Sequence, residues 1–96
     1  MTAEEATIEK RLGAEIADRG GLCWKFVSPG LRGVPDRIVM LPGGRLWFVE
    51  LKAAGGRLSD SQVKRKAQIQ EAGQRVVVIR GMGALRDWLK LIDARL

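Results

Sequence analysis

The chain reads as an α/β fold with the order αβββαβα. Two Ser/Thr-x-x-Glu/Gln signatures, Thr2 with Glu5 and Ser59 with Gln62, open amphipathic stretches. Between them lie three β-type runs parted by glycine- and proline-rich breaks. A β-branched run, Val76 to Ile79, then precedes a last apolar stripe at helical spacing.

The first helix is expected over 3–18, with Ile8, Leu12 and Ile16 as its buried stripe and Gly20-Gly21 as its stop. Residues 22–27 alternate, with Leu22, Trp24 and Phe26 on one side, which predicts a strand. Ser28 to Gly33 is a loop dense in turn residues. Strands over 36–41 and 45–52 are joined by Pro42-Gly43-Gly44, short enough for an antiparallel hairpin. Pro35 stands just before a strand, where proline is tolerated. Ser59 opens the second helix, with Leu58 and Val63 spaced as a hydrophobic staple, and Gly73 ends it. Val76 to Ile79 suits a strand buried on both faces. The final helix carries Leu85, Trp88, Leu89, Ile92 and Leu96.

At 96 residues a single domain spanning 1–96 is expected. Hydrophobic residues make up 46% and charged residues 29%, which is globular and not disordered. No apolar run reaches the length of a membrane span, and acidic Glu4, Glu5 and Glu9 stand where a secretory signal would be basic. One cysteine, Cys23, excludes an internal disulfide and a multi-cysteine zinc site, and is expected as a small packing residue. A soluble, cytoplasmic protein is the expectation. The net charge of +6 favours a polyanionic partner. Histidine and tyrosine are absent, so imidazole acid–base catalysis, His-bound metals and tyrosine nucleophiles are excluded. No Walker-type phosphate loop is present, and no nucleotide cofactor is expected.

The chemistry gathers around Asp36, Glu50 and Lys52. A three-residue loop at 42–44 sets Leu41 opposite Arg45, and Asp36 then falls opposite Glu50. Opposed residues share a face with Cβ atoms about 5 Å apart, and Lys52 points to the same side. A two-residue loop would put Asp36 opposite Leu51, on the wrong face. Two carboxylates this close repel unless a cation lies between them. All-oxygen ligands suit Mg²⁺ or Mn²⁺. Such a metal would acidify a water and stabilise charge developing on a phosphate, with Lys52 orienting the water or neutralising the transition state. The plainer alternative is a surface cross-strand ion cluster. Trp47, Val49 and Leu51 mark the opposite face as buried, yet Leu46 and Phe48 on the charged face leave both readings open.

These residues resemble a known family. Gly33-Val34-Pro35-Asp36-Arg37-Ile38, the Pro42-Gly43-Gly44 turn and Phe48-Val49-Glu50-Leu51-Lys52 are similar to the PD-(D/E)XK nuclease superfamily, and within it to the virus-type replication–repair nuclease domain, VRR-NUC. Lys25-Phe26-Val27-Ser28-Pro29-Gly30 and Leu58-Ser59-x-x-Gln62 resemble the phage-type, stand-alone members. The resemblance runs from Glu5 to about Ile79. It implies a restriction-endonuclease-like core, a mixed sheet flanked by helices. It also implies a metal-dependent DNA endonuclease, similar to the Holliday-junction resolvases of DNA repair that work as homodimers. Asp36 and Glu50 would be metal ligands, joined by the Leu51 carbonyl, and Lys52 the catalytic lysine. The family places a glutamate on the first helix near the metal. Glu5 and Glu9 compete for that place, and Glu9 is preferred because similar resolvases carry the glutamate about three turns before the helix-ending glycine, here Gly20, and because Glu5 partners Thr2. Gln62 resembles a glutamine that touches the site or DNA, although its spacing fits helix capping equally well.

Lys25, Ser28, Arg32, Arg57 and Lys64 are expected DNA contacts, the alternative being scattered surface charge. Trp24, Trp47 and Trp88 are expected in the core or at an interface. Cutting both strands of a junction symmetrically needs two sites on a two-fold axis, so a homodimer is expected, through the final helix or the edge of strand 22–27. The leading expectation is cleavage of branched, four-way DNA. Flaps or nicked duplex cut by the same chemistry, or a non-catalytic basic nucleic-acid-binding module, are the alternatives.

Overall fold

The computed structural model describes residues 1–95. Its elements are α1 (Ala3–Asp18), β1 (Leu22–Lys25), β2 (Arg37–Leu41), β3 (Arg45–Lys52), α2 (Asp60–Glu71), β4 (Val76–Arg80) and α3 (Gly81–Asp93). The strands form one sheet in the order β1-β2-β3-β4. The first three run antiparallel, and β4 lies parallel to β3, reached through α2. The sheet is therefore mixed and flanked by helices, as the sequence predicts.

Both predicted capping boxes form. Glu5 N–H donates to Thr2 Oγ1 at 3.1 Å, and Thr2 N–H donates to Glu5 Oε1 at 3.0 Å. Gln62 N–H donates to Ser59 Oγ at 3.2 Å, and Ser59 N–H donates to Gln62 Oε1 at 2.8 Å. Each pair satisfies two backbone donors that a helix start leaves without partners. Gly20 ends α1 at φ 74°, where a Cβ would be strained.

The core lies on one face of the sheet. Ile8, Leu12 and Ile16 of α1 and Leu85, Trp88, Leu89 and Ile92 of α3 pack on Val39, Leu41, Val49, Leu51 and Ile79. Trp47 joins this side, edge-on to Trp88 at 5.7 Å. The α3 stripe is thus buried within the chain itself and offers little to a second copy. Leu96, expected to end that stripe, lies outside the described residues.

The opposite face is sparsely covered. The helix α2, which lies against β4, has no buried residue. Val63, expected to close a staple with Leu58, is more than half exposed. The strand β4, expected to be covered on both faces, buries only Ile79, with Val76, Val77 and Val78 half-buried. A polar helix such as α2 excludes less water than an apolar one.

Candidate active site

The loop at 42–44 decides which residues meet. Gly43 at φ 87° and Gly44 at φ 78° make the left-handed turn, and Leu41 pairs with Arg45. Met40 then faces Leu46, Ile38 faces Phe48 and Arg37 faces Val49. Continuing by one residue sets Asp36 across from Glu50. Asp36 lies just outside β2, but its carbonyl still accepts from Phe26 N–H at 2.9 Å, so pairing with the first strand extends to it.

The two carboxyl groups meet. Asp36 lies within hydrogen-bonding reach of Glu50. Glu50 is 4% exposed and is the one buried charged residue among those described. Burial, the hydrogen bond with Asp36 and its charge push the Glu50 carboxyl up to about 8. Asp36 Oδ2 also accepts from Leu51 N–H at 2.7 Å, which fastens it across the strand gap. Lys52, two residues beyond Glu50 on the same face, is half-buried and favours the charged form of both Glu50 and Glu5.

The start of α2 completes this wall. Gln62 Nε2 donates to Glu50 Oε1 at 3.2 Å while its Oε1 accepts from Ser59. Gln62 thus caps the helix and contacts Glu50 at once, because one amide has a donor and an acceptor end. Gly33, at φ 84°, lies so close to α2 that a Cβ would meet Ser61 C at 2.4 Å. Arg65 Nε donates to the Arg32 carbonyl at 2.9 Å. The loop leading to Asp36 is therefore seated on the helix whose glutamine holds Glu50.

The structure does not bring Glu9 to the pair. Glu9 binds Arg37 at 2.7 Å, and Arg37 points to the core face. The physical reason is the placement of α1 on that face, from which a side chain reaches the carboxylates only past the end of β3. The first turn overhangs that end. Glu5 Oε2 accepts from Ala53 N–H at 3.2 Å, and Glu4 Oε2 accepts from Ala54 N–H at 2.9 Å. Glu5, held in its charged form by the Thr2 amide, the Ala53 amide and Lys52, is the helix-one acid whose charge Glu50 feels. Spacing to the glycine stop misses this, because it counts helix turns and ignores where the strand ends.

The expected nucleic-acid contacts spread around the site. Arg32, Arg57 and Lys64 are exposed, and Ser28 is half-buried, its carbonyl accepting from Leu31 at 3.1 Å. Lys25 is exposed, but its register opposite Arg37 directs it to the core side of the sheet edge, away from the carboxylates.

A hard divalent cation fits this donor set. Among the described residues no cluster of three or more Asp, Glu, His or Cys stands ready to hold an ion. Two opposed carboxylates nevertheless suffice for a cation such as Mg²⁺, which keeps several waters. The raised Glu50 carboxyl is what a buried acid shows when a second carboxyl faces it, and an ion between them would reverse the shift. Cavities near Arg19, Arg45 and Asp93 and near Arg11, Met82 and Arg86 lie away from these carboxylates.

Known proteins match this chain over most of its length. Residues 23–83 match the VRR-NUC domain family, a span that holds Asp36, Glu50, Lys52 and Gln62. The chain is 47% identical over 75 residues to "Putative nuclease p44" of Acyrthosiphon pisum secondary endosymbiont phage 1, covering 78% of this chain and 81% of that protein. A solved structure described as a VRR-NUC domain superposes with a TM-score of 0.88 at 26% identity, over 93% of this chain and 97% of the other. The chain belongs to the VRR-NUC family, a family of nucleases.

Proposed function

We propose that this nuclease is a metal-dependent endonuclease that hydrolyses phosphodiesters in branched DNA, four-way junctions included, and works as a homodimer. The observation that carries the reading is the opposed carboxylate pair, Glu50 buried and Asp36 half-buried, with Lys52 beside it on a basic chain. Mg²⁺ or Mn²⁺, bound by Asp36 and Glu50, would supply Lewis-acid stabilisation of phosphate charge and a more acidic water. The chain supplies the rest. Leu51 N–H and Gln62 Nε2 hold the two carboxylates in place, and Lys52 offers a cation to the phosphoryl oxygens. The Leu51 carbonyl is a further candidate ligand. Glu5 is better placed than Glu9 to assist, because Glu9 is tied to Arg37.

The junction reading comes from the family resemblance, and the homodimer follows from it by symmetry. One such site cuts one strand, and paired incisions need two sites on a two-fold axis. With α3 occupied in its own core, the open edge of β1 is the element left for a second copy. Cutting of flaps or nicked duplex is the second reading, supported by the same pair of carboxylates, and the whole chain 1–96 is taken as one catalytic domain. The test incubates the protein with Mn²⁺ and labelled four-way junctions, flaps and duplex side by side. Junctions should be cut preferentially, Lys52→Ala should lose at least a hundredfold in rate while still binding, and chelation should stop the reaction. Cleavage that survives chelation overturns the metal mechanism. A monomer in sedimentation at micromolar concentration overturns the dimer.

A further inference from the structure

Trp24 lies outside the core. Trp47 and Trp88 pack against each other, but Trp24 is 58% exposed. Its register partner is Ile38, whose own partner is Phe48, so Trp24 stands on the carboxylate face and not the core face. It is the diagonal neighbour of Asp36, a relation that spans about 7–8 Å in an antiparallel pair. Leu22, at 50% exposure, continues the same surface, while α2 packs chiefly at the β4 side. A large ring is thus left in water one row from the site.

From this placement we infer that Trp24 is a stacking platform for an unpaired base of the nucleic acid whose phosphate lies at Asp36 and Glu50. The inference rests on the nucleic-acid reading of that site and deepens it, because it names unstacked nucleotides as the feature recognised. Charge complementarity selects this occupant over a second copy. From Leu22 to Ser59 the acids off the core side are Asp36 and Glu50, against Arg32, Lys52 and Arg57, since Lys25, Arg37 and Arg45 stand on the core side. Two such faces repel each other, whereas a polyanion is attracted to either one. A copy seated on Trp24 would also obstruct the approach to Asp36. Pairing through the edge of β1 leaves this face free, since edge hydrogen bonds lie in the plane of the sheet and side chains stand out of it. Base–aromatic stacking tolerates any sequence and requires a base that is not already stacked.

The experiment measures binding without added divalent cation, using a 16-nucleotide oligo-dT and a blunt 16-base-pair duplex as probes. Oligo-dT should quench the tryptophan emission of the full chain. The quench should be absent in Trp24→Leu, which keeps an apolar side chain at the edge. That variant should bind oligo-dT about tenfold more weakly and duplex unchanged, with an unaltered melting temperature. Trp24→Phe should keep most of the affinity. An equal loss for both probes, or no loss, overturns the stacking role. A dimer that becomes monomeric on Trp24→Leu overturns it in favour of a second copy on this face. Failure of the unmodified protein to bind either probe overturns the DNA reading itself, and is told apart because it needs no variant.

Discussion

At Glu50 a carboxyl is 4% exposed beside a second carboxyl, and both circumstances favour its neutral form. The consequence for stability has a definite sign. The unfolded carboxyl titrates near 4.5 and the folded one near 8. Between those values the native chain holds a proton that the unfolded chain has released, so the metal-free protein loses stability as pH rises through this window. Above about 8 the loss is complete. Glu50→Gln removes the titration and keeps an oxygen for Gln62 to donate to. Its unfolding free energy in chelator should match the unmodified protein near pH 4.5 and exceed it by about 1–3 kcal/mol at pH 8.5, the scale of a poorly compensated buried charge. Cleavage should be lost. Urea melts at the two pH values decide this, and a difference that does not grow with pH sinks it. Gln62→Glu gives a sharper residue test. Glutamate closes a capping box as well as glutamine does, so α2 should stay capped, but a third carboxylate would then face Glu50. Thermal stability in chelator at pH 8.5 should fall, and saturating Mg²⁺ should recover part of it, by melting curves with and without the ion.

At the scale of elements, α2 is the part whose attachment is least like a packed core. None of its residues is buried, and its first turn is seated by the close approach of Gly33 to Ser61 and by Gln62. Gly33→Ala should therefore displace the helix. The substitution meets both a φ of 84° and a backbone atom at 2.4 Å, and should cost about 2–4 kcal/mol. Gly30→Ala is the control: its φ is 79° but nothing lies within 4 Å, so about 1 kcal/mol is expected. Equal melting temperatures for the two variants would remove the claim that Gly33 seats α2. The same element shows what a sequence can and cannot disclose. Its cap was legible because Ser59 and Gln62 act over three residues of local backbone. So was the hairpin register, since one loop length sets every pair from Leu41–Arg45 back to Asp36–Glu50. Which partners Glu5 and Glu9 find was not legible, because it depends on where α1 crosses the end of β3. Nor was the exposure of Trp24. Alternation assigns Leu22, Trp24 and Phe26 to one face, but not whether a helix covers that face.

For the whole molecule, charge is divided between two sides. The helix α1 carries Glu4, Glu5, Glu9, Glu15 and Asp18, and Asp93 of α3 binds Arg19 at 2.7 Å, so acids gather over the core helices. The open face and its loops carry Arg32, Lys52 and Arg57 beside the carboxylate pair. A polyanion is consequently steered to the open face, and long-range attraction of this kind depends on salt. Each phosphate neutralised contributes about 0.9 to the slope of log affinity against log salt on duplex DNA. Arg32→Ala and Arg57→Ala should each lower that slope by about one if their side chains meet phosphate. Arg86→Ala, on the exposed side of α3, should leave it unchanged. The measurement is a titration of labelled duplex at several salt concentrations without divalent cation. A slope that falls equally for Arg32, Arg57 and Arg86 would mean that net charge alone governs binding. Unequal slopes would place the duplex on the face that holds Asp36 and Glu50, where a phosphate can reach them.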